Sequence, residues 1–299
     1  MTRGMTRDDV LEVLGVTAWD APVAPGQSAR AVAALETGRV LFFPFLPFAV
    51  RAGEQKFLSV DALEPGRKNI SFDPAGGTCQ GSRHSGAEAA ALAAMLGRFG
   101  RQAEALMLAL APGYAGRLER ARTSFRPAEI EDRATSVRKN DRLLHVDAFP
   151  TRPTRGKRIL RVFSNIAPDG AERLWRVGEP FAEFAQKFFP RVGRGSDHAA
   201  WFLERLGLTK GRRSAYDTIM LGLHDRMKED RTYQAEAPAA DVAFPPGTSW
   251  IVFTDQVLHA ALAGRFALEQ TFHLPVAAMA DRARAPISVL ERLAGRALA

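Results

Sequence analysis

The sequence predicts a mainly β protein with helices, of the α+β class, built on an antiparallel double-stranded β-helix or jelly-roll core. Short runs with period-two alternation begin after Arg126-Pro127, whereas the longest helical periodicity lies before that point. A helical stretch from about 180 to 240 then interrupts the strands, which resume near Thr248. One domain of 299 residues is expected. Residues 1–125 supply helical and strand support, 126–276 the jelly-roll core with its insertion, and 277–299 a carboxyl-terminal helix.

In chain order, Asp8–Leu14 suits a short amphipathic helix, and Ser28–Glu36 a second one stopped at Gly38. Arg39–Phe43 is an apolar run leading into Pro44 and reads as a buried strand. Ala87–Leu110 is alanine-rich with apolar residues at helical spacing, and Pro112-Gly113 ends it. Strands follow at Thr135–Arg138, Arg142–Asp147, Arg158–Ile166 and Glu172–Val177. Pro168-Asp-Gly170 forms the turn between the last two. Pro180–Phe189, His198–Leu206 and Ser214–Glu229 have helical patterns. Thr248–Phe253, the stretch leading to His259, and Phe266–Val276 return to strand. Ser288–Ala299 closes the chain as a basic amphipathic helix.

With 46% hydrophobic and 25% charged residues, the chain can bury a sizeable core and is not a disordered one. Its formal charge of +8 favours anionic partners, and its arginines, far more numerous than its lysines, suit bidentate grip on carboxylate or phosphate. The single cysteine, Cys79, excludes an internal disulfide and a cysteine zinc cage, so a reducing compartment is expected. Met1–Asp9 lacks the apolar stretch of a secretory signal. The apolar run Val40–Val50 is too short to span a bilayer and contains Pro44 and Pro47. A cytoplasmic protein is expected.

The tripeptide His145-Val-Asp147 places an imidazole and a carboxylate two residues apart, on one side of an extended chain. Alone it could be a surface ion pair. A third candidate, His259, lies at the far end of the strand pattern that starts at Thr248. Two histidines and one carboxylate form the facial triad of non-haem iron(II) oxygenases, which leaves positions open for co-substrate and oxygen. His84 falls in a glycine-rich loop, and His198 and His224 fall on helices. His273, on the strand after His259, is the main competitor as a ligand.

A 2-oxoglutarate co-substrate needs a cation or hydroxyl donors for its distal carboxylate. Arg161, Phe163 and Asn165 share one strand face, and a buried arginine without an anion would be costly. Arg173 and Trp175 repeat that spacing on the next strand. Arg265, Gln270 and Thr271 lie on or before the strand after His259, where a carboxylate-binding base is expected. Arg126 and Arg138, upstream of the first two ligands, can reach the same cavity.

Five segments carry a family likeness: Leu144-His-Val-Asp-Ala-Phe149, Leu160-Arg-Val-Phe-Ser-Asn-Ile166, Trp175-Arg-Val-Gly-Glu-Pro-Phe181, His259-Ala-Ala261 and Leu268-Glu-Gln-Thr-Phe272. They resemble the Kdo 3-hydroxylase family of Gram-negative bacteria, from about Arg126 to Val276 and more weakly on either side. The resemblance implies Fe(II) bound by His145, Asp147 and His259, with 2-oxoglutarate and O2 as co-substrates. It also implies hydroxylation at carbon 3 of 3-deoxy-D-manno-oct-2-ulosonic acid (Kdo) attached to lipid A. Gln270 stands where the wider superfamily keeps a base, which makes Arg161 the first choice for the distal carboxylate. Kdo-bearing lipid A would then be the partner, and no nucleic acid is expected. A basic end with Arg282, Arg284, Arg292 and Arg296 could rest peripherally on the anionic cytoplasmic face of the inner membrane. The alternatives are an oxygenase of another anionic substrate, or a non-catalytic cupin-like barrel that binds a metal or sugar.

Overall fold

The computed structural model describes residues 4–130, 136–150, 152–192 and 213–299. Eleven strands among them form two facing sheets. The larger sheet has eight strands in the order β1-β2-β9-β6-β11-β5-β3-β4, and the smaller has three in the order β10-β7-β8. The strands are β1 Leu11–Val13, β2 Val40–Phe43, β3 Ile70–Asp73, β4 Thr78–Gln80, β5 Glu119–Arg126 and β6 Arg158–Asn165. They continue with β7 Arg173–Gly178, β8 Ala239–Phe244, β9 Ser249–Phe253, β10 His259–Ala263 and β11 Ala267–Leu274. Every pairing is antiparallel except β1 with β2. This is the double-stranded β-helix with added helices that the alternation predicts, and five strands of the large sheet come from the first 126 residues.

The helices are α1 Arg7–Val10, α2 Pro25–Glu36, α3 Gly86–Leu110, α4 Phe181–Phe188, α5 Ala215–Glu229, α6 Arg231–Glu236 and α7 Pro286–Ala294. On α3, Leu92, Leu96, Phe99, Ala103, Leu106 and Leu110 recur at helical spacing and are buried against the outer face of the large sheet. Ile70, Phe72, Phe125, Leu268 and Phe272 meet them from that face. Phe163, Trp175, Phe244 and Trp250 fill the space between the sheets, with Trp250 stacked on Phe244 at 4.1 Å. The outer face of the small sheet packs on α4, α5 and α7 through Leu258, Ala260, Phe184, Leu223 and Leu290.

Several boundaries differ from expectation for local reasons. Only one helical turn forms near the start, at α1. One turn is too short to sustain itself, and from Leu11 the chain pairs with β2 instead. Helix α2 begins at Pro25 rather than Ser28, because proline suits the first helical position, where its missing N–H is not needed. Val137–Lys139 is a 3-10 turn and not a strand, since Lys139 and Asn140 donate locally to Ser136 and Val137. Of the strand expected at Arg142–Asp147, Arg142 and Leu143 fall in a turn, and the rest makes a single bridge, His145 with His259. The helix expected at His198–Leu206 lies outside the described residues.

Candidate metal centre

His145 and His259 are joined first by their backbones. Each donates its N–H to the other's carbonyl, at 3.0 and 2.8 Å, in an isolated antiparallel bridge. The Asp147 N–H donates to the Thr254 carbonyl at 2.8 Å, which ties the same segment to the turn before β10. On the other flank the described residues offer no strand, and the Gln234 side chain of α6 takes its place. It donates to the Leu144 carbonyl at 3.0 Å and accepts from the Leu144 N–H at 2.8 Å. A segment too short to be a strand is thereby fixed on both edges.

The ligand atoms of His145, Asp147 and His259 lie within 4.8 Å of one another. Nδ1 of His145 is 2.8 Å from the Leu143 carbonyl, and Nδ1 of His259 is 2.8 Å from the Val257 carbonyl. An imidazole that donates from Nδ1 keeps Nε2 as an acceptor, the tautomer that a metal ligand requires. The indole of Trp175 stacks on His259 at 5.1 Å and 21° and fixes its plane. The His224 ring of α5 stands edge-on to His145 at 5.7 Å.

Burial pushes the pKa of both imidazoles down, for His145 well below the usual value with a further contribution from His259. Burial alone would raise Asp147, but the Arg161 guanidinium and the neighbouring His259 outweigh it and hold the carboxyl below its usual range. At neutral pH the triad is therefore two neutral imidazoles and one carboxylate, with no proton for a divalent ion to displace. The residues fit such an ion.

Around the triad is a cavity of about 260 Å³, whose lining includes Lys68, Asn69, Arg126, Asp141, Phe149, Arg161, Arg173, Trp175 and Glu269. Arg161 bridges two acids: Nη2 lies 2.9 Å from Asp147 Oδ2, and Nη1 lies 2.9 Å from Glu269 Oε1. Arg126 holds the other oxygen of Glu269 at 2.7 Å. The arginines keep the Glu269 carboxyl low despite its burial. Arg161 Nε and Trp175 Nε1 are buried without hydrogen-bond partners, two unused donors from residues that line the cavity.

Of the residues singled out in the sequence, the structure gathers His145, Asp147, His259, Arg126, Arg161, Arg173 and Trp175 at this cavity. Thr271 lines an adjoining groove. Four others are placed elsewhere. Asn165 shares the face of Arg161 but lies further along the strand, where it bonds Ala171, Phe244 and Ala167 of the backbone. Gln270 points to the helix side, bonded to Thr123 and the Ala121 carbonyl, because Leu268 and Phe272 claim that face for the core. Arg265 pairs with Asp169 on an exposed turn, and Arg138 with Glu229 and Asp225 on the surface. His273 lies in the groove and not at the triad. Glu269 and Phe149 were not foreseen. Strand alternation between Leu268 and Phe272 carries the signal for Glu269.

A histidine-carboxylate-histidine triad at the mouth of a double-stranded β-helix defines a class, the non-haem iron(II), 2-oxoglutarate-dependent oxygenases. The comparisons narrow it. The family model for 3-deoxy-D-manno-oct-2-ulosonic acid (Kdo) hydroxylase matches residues 18–297, and the chain belongs to that family. A crystal structure of the Kdo hydroxylase KdoO, a non-haem Fe(II) α-ketoglutarate-dependent dioxygenase in complex with α-ketoglutarate and Fe(III), is 43% identical. The match covers 97% of each chain with a TM-score of 0.94. The cobalt(II) complex of KdoO is 44% identical over 96% of this chain and 97% of that one, also with a TM-score of 0.94. No curated protein sequence matches.

Proposed function

We propose that this chain is an Fe(II)- and 2-oxoglutarate-dependent dioxygenase that hydroxylates carbon 3 of Kdo carried on lipid A. The supporting observation is the convergence of His145, Asp147 and His259 in a ligand-ready protonation state, in a chain of the Kdo hydroxylase family. Iron(II) held by these three residues would supply the redox catalysis, in which 2-oxoglutarate gives up two electrons to oxygen as it is decarboxylated to succinate. The chain's own residues do the placing. Arg161 is the anchor for a co-substrate carboxylate, with its unused Nε as donor, and by holding Oδ2 of Asp147 it leaves Oδ1 toward His145.

Charge supports a sugar acid as substrate. Among the described residues, Lys68, Arg126, Arg161 and Arg173 line the cavity beside Asp141, Asp147 and Glu269. A divalent metal and a dianionic co-substrate cancel each other, and the guanidinium groups of the lining suit the carboxylate of a sugar acid such as Kdo. Phe149 and Trp175 add apolar walls that limit water around the target carbon.

Among the described residues no helix is long and apolar enough to cross a membrane. Contact with an anionic leaflet is electrostatic in this reading, because α7 spends its apolar residues Val289 and Leu290 on the core. The protein then works at the cytoplasmic face of the inner membrane.

The decisive experiment mixes purified protein, Fe(II), 2-oxoglutarate and oxygen with Kdo-bearing lipid A. Mass spectrometry should find one added oxygen on Kdo and an equal yield of succinate. Succinate without an oxidised sugar would point to another anionic substrate, and neither product would defeat the oxygenase reading.

A further inference from the structure

The inner face of the large sheet changes character across its width. Over β2, β9 and β6 it carries Phe42, Trp250, Val252 and Phe163, covered by the small sheet. Over β11, β5 and β3 the same face is polar, with Glu269, Thr271, His273, Arg122, Ser124 and Ser71. Phe72, Phe125 and Phe272 occupy the opposite face, so the alternation is intact and the polar row is its other half. Three strands cannot cover eight. A groove of about 460 Å³ is left along this row.

The groove starts at the metal cavity, with which it shares Asn69, Arg126, Phe149, Arg161 and Glu269. From Glu269 to His273 it runs roughly 13 Å along β11 at ordinary strand rise. Further out, Arg67, Arg122 and Arg152 line it. Its one lining carboxylate among the described residues, Glu269, is already held by two arginines. Arg67 and Arg122 each have a single acid neighbour, Glu64 and Asp73, at 3.5 Å. That is longer than a charge-assisted bond, so their forks keep capacity for another anion. His273 Nδ1, buried in the groove wall, has no hydrogen-bond partner.

We propose that this groove is a second binding site, for an oxyanion that the acceptor carries outside the sugar ring being hydroxylated, gripped by Arg67, Arg122 and Arg152. The oxyanion is a phosphate ester or the carboxylate of a second acidic sugar. The proposal rests on the reading of the adjoining cavity as the hydroxylating centre. Residues that reach the metal act on one ring, and the polar row holds what is attached to it.

The test compares the wild type with R67Q/R122Q/R152Q. Inorganic phosphate titrated calorimetrically into the metal-free proteins should bind the wild type at least about tenfold more tightly, as expected when bidentate charge-assisted contacts are lost. In turnover, the KM for lipid-linked acceptor should rise by a similar factor in the variant. If the rise disappears with dephosphorylated acceptor, phosphate is the ligand; if it persists, the sugar carboxylate is. Phosphate binding and acceptor KM that both stay within about twofold overturn the proposal. Were the wild type to hydroxylate neither acceptor, the metal-site reading would fall, and the titration would still decide the groove, with equal or absent phosphate binding counting against it. Arg67→Gln alone, at an exposed position, serves if the triple variant does not fold.

Discussion

Asp147 divides its two oxygens between two tasks. Oδ2 is held by Arg161 at 2.9 Å, and Oδ1, 4.0 Å from His145 Nε2, faces the other ligands. Lysine keeps the charge but has one ammonium, which cannot bridge Asp147 and Glu269 as two separate guanidinium nitrogens do. Arg161→Lys is therefore expected to weaken Co(II) binding by about 10- to 100-fold, the usual consequence of losing an outer-shell partner of a ligand. Unchanged affinity in a metal titration would show that Asp147 is oriented without Arg161. Lys228, only 3% exposed, behaves differently, because burial pushes its pKa down to about 8. The folded state then carries the cost of a buried charge at and below pH 8, and sheds it as pH rises toward the unfolded value of about 10.4. Lys228→Met should accordingly stabilise the protein at pH 7 by about 1–3 kcal/mol, with the gain vanishing near pH 10.5. Chemical denaturation at the two pH values checks this, and a pH-independent difference would contradict it.

At the scale of elements, the metal centre depends on a segment that is not an element. Residues 144–147 are held like a strand, but their partners are one bridge to His259, the Thr254 carbonyl and the side chain of Gln234. Gln234→Ala removes both bonds to Leu144, which is 1% exposed, and leaves a backbone N–H and C=O without partners. The expected loss is about 1–3 kcal/mol of stability, with weaker metal binding, measured by melting with and without Co(II). A variant that melts like the wild type in both states would mean that the bridge alone positions His145. The same segment shows why the ligands were legible in the sequence and the pairing was not. The spacing of His145 and Asp147 needs only an extended chain, whereas a strand needs a partner that local sequence does not reveal. Strand β5 was missed for a related reason. Its alternate residues Arg122, Ser124 and Arg126 face a solvent groove, so no run of apolar residues marks Glu119–Arg126 as a strand. Gln270 and Thr271, expected together at the site, are neighbours on a strand and so face opposite ways: Thr271 shares the groove's face with Glu269, and Gln270 the helix side.

Across the whole molecule, the fold sets a charge balance. The formal charge of +8 draws anions toward the protein, but long-range attraction is screened beyond about 10 Å at 0.1 M salt. Selection among anions must therefore occur inside, where the two sheets leave the cavity between an aromatic interior and a polar groove. There arginine and lysine side chains line the cavity beside the triad, and a divalent metal with a dianionic co-substrate adds no net charge. A substrate carboxylate can take a charge-assisted bond from a guanidinium of that lining, and a neutral group at the same place takes a weaker one. Converting the carboxylate of the reacting Kdo to an amide should lower kcat/KM by about 10- to 100-fold, the equivalent of a lost charged hydrogen bond of about 1.5–3 kcal/mol. Succinate release in the absence of acceptor should not change, since the amide alters only the acceptor. Equal kcat/KM for acid and amide would mean that the sugar is recognised by its hydroxyls alone.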